Sequence, residues 1–143
     1  TINNTLSTGI LELGPEVEKF ENNFSKYCNA KYCVTISSGS MGLLLALKVF
    51  NLNKNDEVIT VANSDIPTSH AISLTGAKIK WVDVEEDSFN MDPVEVEKKI
   101  NKNTIAVVLT NMFNSYEDTI FIRNICKQKK VILIEDNIFR RLY

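Results

Sequence analysis

"VILIEDNIF", residues 131–139, sets four apolar residues against two carboxylates, Glu135 and Asp136. A run of four apolar residues that does not alternate with polar ones is what a strand buried on both faces looks like. A carboxylate at the tip of such a strand is costly unless something positive or a hydrogen-bond donor meets it. "TIAVVL" (104–109) and "DEVITVA" (56–62) repeat the apolar pattern upstream. "AKIKWVDV" (77–84) and "YCVTI" (32–36) are two further short strand-like runs, rich in β-branched and aromatic residues.

Helical segments separate these runs. "GPEVEKFENNFSKY" opens with Pro15 in its first turn and sets Val17, Phe20, Phe24 and Tyr27 on one face. "SSGSMGLLLALKVF" is a small-residue turn followed by a helix. "IPTSHAISLTG" has Pro67 near its start and Gly76 just past its end. "DPVEVEKKI" has Asp92 as cap, Pro93 at the first helical position and Glu95 where a capping box needs it. "EDTIFIRNICKQKK" turns Ile122, Ile125 and Cys126 inward and closes on basic residues. Five strands alternating with helices predict an α/β fold, a parallel doubly wound sheet with helices on both faces. The 143 residues are expected to form a single domain, or part of one.

Bulk composition excludes several classes. A net charge of −2 argues against nucleic acid or an anionic membrane surface as partner. The longest apolar run, "MGLLLAL", is far short of a membrane span, and "TINNTLSTG" does not read as a secretory signal. Three cysteines, Cys28, Cys33 and Cys126, are too few and too odd in number for a disulfide framework; they read as buried free thiols in a reducing, cytoplasmic setting. With one histidine, His70, and no paired ligand spacing, no metal site is expected.

In a parallel sheet, ligands bind beyond the C-terminal strand ends. Two segments fall there. Ser37-Ser38-Gly39-Ser40 leads straight into a helix, where small residues and the helix N-terminus suit an anion; an ordinary Ser cap is the competing reading. Glu135-Asp136 suits a metal, a phosphoryl group, a cationic ring nitrogen or merely solvent. No GxGxxG or GxxxxGK[ST] pattern is present, which leaves dinucleotide and nucleoside-triphosphate sites without support.

Taken in order, "GPEVEKFE", "SSGS" with "LLLAL", "DEVITVA", "TGAKIKWVDVEEDSFNMDP" and "LIEDN" resemble the N-terminal part of the large domain of the DegT/DnrJ/EryC1/StrS sugar aminotransferases, over about Leu6 to Asn137. The resemblance implies a partial PLP-transferase-like large domain (residues 1–143) and pyridoxal 5'-phosphate (PLP) as cofactor. It also implies a nucleotide-linked keto sugar as substrate, Glu as amino donor, and a homodimer. By the same resemblance Asp136 pairs with the ring nitrogen, Gly39 and Ser40 hold the phosphate with Ser38 adding a donor, and Glu135 is structural.

Several positions depart from the family pattern. Asp65 falls where an aromatic residue would stack on the ring, where it can instead contact a polar substrate group. Phe139 replaces a Gln, Asn111 and Asn114 stand in the "HxxG" segment, and "IFRRLY" replaces a Gly/Ala-rich turn. No Lys follows Lys130, so the family's Schiff-base Lys is not among these residues, no catalytic residue is assigned within them, and the chain alone is expected to be inactive. Two alternatives stand beside the aminotransferase: a sugar dehydratase of the same family using the amine form of the cofactor (PMP), and a degenerate module without catalysis. A phospho-accepting receiver domain fits less well, because it needs acids converging from several strands.

Overall fold

The computed structural model describes residues 2–112 and 117–138. The chain forms two compact units, Thr1–Ser37 and Ser38–Tyr143.

The first unit holds α1 (Ile2–Thr8) and α2 (Pro15–Tyr27). Glu16 and Glu18 in the first turn of α2 and Lys26 in its last complement the helix dipole. Asn29 ends the helix at φ +50°, the left-handed conformation Asn tolerates. The Asn29 and Ala30 N–H groups then reach back to the carbonyls of Lys26 and Ser25, which satisfies the last turn. The aromatic face read from the sequence exists: Phe20 and Phe24 stack at 5.6 Å and Tyr27 follows at 6.3 Å from Phe24. It is not buried, since Phe20 and Tyr27 remain more than half exposed.

Residues 32–36, expected to be a strand, are not paired into one. Strand propensity is fulfilled only by a ladder partner. Here the Thr35 N–H goes instead to Glu21 Oε1 at 2.6 Å, and the Thr35 hydroxyl to the same oxygen at 2.7 Å. Those bonds, the backbone one foremost, hold the Glu21 carboxyl below its usual range. The cysteine reading is also corrected. All three thiols are free, but Cys28 is exposed, Cys33 is half-buried and only Cys126 is buried.

The second unit is a four-stranded parallel sheet, β1 (Glu57–Val61), β2 (Lys78–Val82), β3 (Thr104–Thr110) and β4 (Ile132–Asp136), in the order β2-β1-β3-β4. Helices α3 (Gly39–Lys48), α4 (Ile66–Ser73), α5 (Pro93–Lys99) and α6 (Glu117–Lys129) connect and cover it. Strand pleating divides the core in two. Val58, Ala106 and Val108 pack with Leu43 and Leu47 of α3 and Ala71 and Ile72 of α4. Ile59, Val61, Val82, Val107 and Leu109 pack on the opposite face with Val96 of α5 and with Ile122 and Cys126 of α6. Each such Leu, Ile or Val side chain contributes roughly 1.5–3 kcal/mol by leaving water. The doubly wound α/β class is therefore as expected, with four strands in place of five among the described residues.

Local signals account for the helix boundaries. Asp92 caps α5 by accepting the Val94 N–H at 2.7 Å. The capping box does not close: the Asp92 N–H goes to the Asp83 carbonyl, and Glu95 turns to Lys98 and Lys99 one turn on. Glycine at position 76, at φ +88°, lets the chain leave α4 for β2. At the opposite end of the sheet Glu57 accepts from Asn101 at 2.8 Å and from Lys80 at 3.1 Å, and these bonds hold its carboxyl low.

Candidate functional site

The two carboxylates at the tip of β4 face opposite ways because the side-chain period of a strand is two. Ile132 and Ile134 pack toward α3 and α4, so Asp136 faces that side. Val131 and Leu133 pack toward α5 and α6, so Glu135 faces the other. There Arg123 of α6 donates to Glu135 Oε1 from Nε at 3.1 Å and from Nη2 at 2.6 Å. Glu135 is thus held in an ion pair, in keeping with a structural role.

Asp136 is half-buried. Its Oδ1 accepts the Ile138 N–H at 3.3 Å, and its Oδ2 accepts the Thr68 hydroxyl of α4 at a long 3.4 Å. Its carbonyl accepts the Asn111 N–H at 3.0 Å, extending the β3–β4 ladder by one bond. Thr110 lies directly across from Asp136 in the β3–β4 register. Its hydroxyl is buried and has no hydrogen-bond partner among the described residues. Thr60, in the neighbouring strand, binds the Val108 carbonyl at 3.1 Å.

The Ser38–Ser40 segment opens α3. Ser38 is its cap, with extended backbone and Oγ accepting the Met41 N–H at 3.2 Å. The ordinary cap reading is therefore correct, and it leaves the anion reading open. Gly39 and Ser40 sit in the first turn, whose N–H groups have no partner within a helix. A Cβ on Gly39 would lie 3.2 Å from Ile138 Cδ1, so the start of α3 passes tightly by the chain leaving β4. Ile138 is also the residue whose N–H binds Asp136. Ile138 thereby links Gly39 to Asp136, and Ser40 follows Gly39 in the same helical turn.

Asp65 occupies the cap position of α4 but makes no side-chain cap bond, and it is exposed. Its carbonyl accepts the Thr68 N–H at 3.1 Å. A cavity of about 220 Å³ opens between α3 and α4, lined by Ser38, Ser40, Leu44, Pro67 and His70 among others. A larger one, about 480 Å³, lies in the first unit against Ile10, Leu11 and Val17, and none of the expected site residues lines it. Among the described residues no three His, Cys, Asp or Glu gather as a metal requires, and no helix is long and apolar enough to cross a membrane. Phe139 and Asn114, singled out as departures, lie outside the described residues.

Asn111 is an internal brace. Its Nδ2 donates to Asn137 Oδ1 at 2.6 Å and its Oδ1 accepts the Thr119 hydroxyl of α6 at 2.9 Å. It thus ties the tips of β3 and β4 to α6. The sequence reading missed Thr68 and Thr110. Residue parity plus the β3–β4 register would have placed Thr110 beside Asp136; nothing in the sequence alone sets that register.

A helix N-terminus with small residues at one end and a carboxylate at the other suit a ligand with an anionic and a cationic end. The model of the DegT/DnrJ/EryC1/StrS aminotransferase family matches residues 1–138, and the chain belongs to that family. It is 34% identical over 135 residues to the dTDP-3-amino-3,6-dideoxy-alpha-D-galactopyranose transaminase of Aneurinibacillus thermoaerophilus, covering 94% of this chain and 37% of the relative. Its fold matches S. venezuelae DesV, solved with a ketimine intermediate, at a TM-score of 0.88 and 33% identity, covering 95% of this chain and 37% of that one. It also matches the E. coli GDP-4-keto-6-deoxy-D-mannose-3-dehydratase with bound hydrated PLP, at 0.86 and 28%, covering 95% and 36%. The chain spans little more than a third of the length of these relatives.

Proposed function

We propose that residues 1–143 are part of the large domain of a PLP-dependent aminotransferase acting on a nucleotide-linked keto sugar in amino-sugar biosynthesis. The observation that carries this reading is Ile138, which lies tightly against the Gly39 start of α3 and gives its N–H to Asp136 at the end of β4. When bound, the cofactor supplies an electron sink for carbanion chemistry. Asp136 holds a proton on the ring nitrogen by offering it a fixed negative partner. The N–H groups of Gly39 and Ser40 bind the phosphate, aided by the positive end of α3. Ser38 holds that turn in shape and adds a hydroxyl. Asp65, exposed at the head of α4, contacts a polar group of the substrate.

In this reading Glu is the amino donor, and the protein works in the cytoplasm as a homodimer. Its cofactor-linking Lys lies outside these residues, so the chain by itself does not transaminate. The likeness to the E. coli dehydratase supports a second reading, PMP-dependent dehydration of a similar sugar; the two differ at a residue these 143 do not include.

Calorimetric titration of the chain with PMP tests the site, since that form needs no covalent link. Saturable binding is expected, lost in Asp136→Ala and weakened when Gly39→Val fills the space before Ile138. Equal binding by the parent chain and Asp136→Ala would refute the assignment. Borohydride reduction in the presence of PLP should leave no single stoichiometric pyridoxyl-lysine on mass spectrometry. Finding one would place the covalent link within this chain.

A further inference from the structure

We infer that Thr110 is a positioning residue for Asp136, a second hydroxyl that together with Thr68 holds the carboxylate toward a cationic ring nitrogen. The inference rests on the proposed cofactor site and deepens it. Thr110 and Asp136 are register partners at the ends of β3 and β4, and residue parity puts both side chains on the α3/α4 face. Adjacent strands lie about 4.8 Å apart, so rotation about χ1 of Thr110 is enough to carry its hydroxyl toward the neighbouring carboxylate.

The case for a role comes from what the hydroxyl lacks. Thr110 is 2% exposed, and its Oγ1 has no partner among the described residues. Buried hydroxyls in folded proteins are almost always bonded, and one that is not weakens the fold. Packing does not explain it. Val107 and Val108 fill the same strand, and Val has nearly the shape of Thr without the oxygen. Thr60, on the same face, has its own acceptor in the Val108 carbonyl. Asp136, for its part, is held by a peptide N–H on one oxygen and a 3.4 Å hydroxyl on the other, a loose grip for a group that must meet a cation at a fixed point. The carboxylate directly across the ladder from Thr110 is that of Asp136.

The test uses the full chain, PMP labelled with ¹⁵N in the ring, and the variants Thr110→Val, Thr110→Ser and Asp136→Asn. Thr110→Val is expected to bind PMP up to about tenfold more weakly, the scale of one hydrogen bond that Thr110 gives Asp136 when the cofactor is bound. Its ring ¹⁵N resonance should move toward the unprotonated position, and Thr110→Ser should restore both. The thermal midpoint of Thr110→Val should equal or exceed that of the parent, because an unbonded buried hydroxyl has been removed. A merely structural Thr110 would lower the midpoint in Thr110→Val and leave the resonance alone. Thr110→Val with parental affinity and resonance, while Asp136→Asn loses both, would overturn the role of Thr110 and keep the cofactor site. Absence of PMP binding by the parent chain would overturn the site and this inference together.

Discussion

The two faces of the sheet treat their polar groups differently at the C-terminal edge. On the α5/α6 side Glu135 is held by Arg123, and both ends of the Asn111 amide are bonded, to Asn137 and to Thr119. On the α3/α4 side Thr110 is unbonded among the described residues, and Asp136 is bonded at 3.3 and 3.4 Å. One face has closed its hydrogen-bond account within the fold, while the other leaves acceptors and a donor spare. The same strand end therefore bonds its odd-numbered residues internally, and its even-numbered ones are those of the proposed cofactor site.

The largest expected effect breaks the chemical face alone. In a longer protein that contains this chain and its catalytic Lys, Asp136→Ala should lower turnover about a thousandfold, some 4 kcal/mol in the barrier at 1.36 kcal/mol per tenfold. Stopped-flow half-reactions with the amino donor would measure it, with circular dichroism unchanged. Turnover at the parental rate would make Asp136 no more than a strand-tip residue.

Next comes the core of the structural face. Ile122, fully buried against Ile59 and Leu109, should cost about 2–5 kcal/mol when cut to Ala. Urea denaturation would read the loss. PMP affinity per folded molecule should stay within about twofold of the parent, a free-energy change of roughly 0.4 kcal/mol. A larger change would mean the two faces are coupled.

How much of this division was legible in the sequence follows from which physical signals are local. The strands at 56–62 and 104–109 could be read because burial on both faces leaves nearly continuous apolar runs; the run at 131–134 carries the same signal, although β4 is a half-buried edge strand. The cap at Asp92 and the glycine at 76 are single-residue chemistry. The segment 32–36 was misread because β-branched residues report a preference for extension, whereas a strand also needs a neighbour; Glu21 took the Thr35 N–H instead. Resemblance alone gave Glu135 and Asp136 different expected roles; that alternate residues face different helices required the packing. Thr110 could not be read at all. Its significance lies in a register and a missing bond, and neither is written in one strand.

A smaller effect concerns pH. Burial pushes the Cys126 thiol from 9.0 up to about 11. A pKa raised in the folded state means the neutral thiol is favoured there. Its contribution to stability is complete below about pH 9, the unfolded value, and is lost as pH rises through about 11. The difference in unfolding free energy between the parent and Cys126→Ala should therefore be flat from pH 6 to 8 and narrow above about pH 9. A flat difference through pH 11 would mean that the thiolate is tolerated on this face. In the native chain at pH 8, exposed Cys28 should react with a maleimide well before Cys126 does.

The smallest effect is the sharpest check on the comparison. Glu135 and Arg123 make two hydrogen bonds, but Arg123 is about half exposed, so solvent screens the pair. Arg123→Met keeps much of the side chain's apolar length and removes the charge. Its cost should stay under about 1 kcal/mol in low salt and shrink further in 0.5 M NaCl, where the Debye length falls to a few ångströms. Because Glu135 turns away from Asp136, the ¹⁵N resonance of bound PMP should not move in this variant. A shift there, without any change in fold stability, would show that charge on one face of β4 reaches the other. The neighbouring carboxylates would then have to be treated as a single electrostatic unit instead of two groups separated by the pleat.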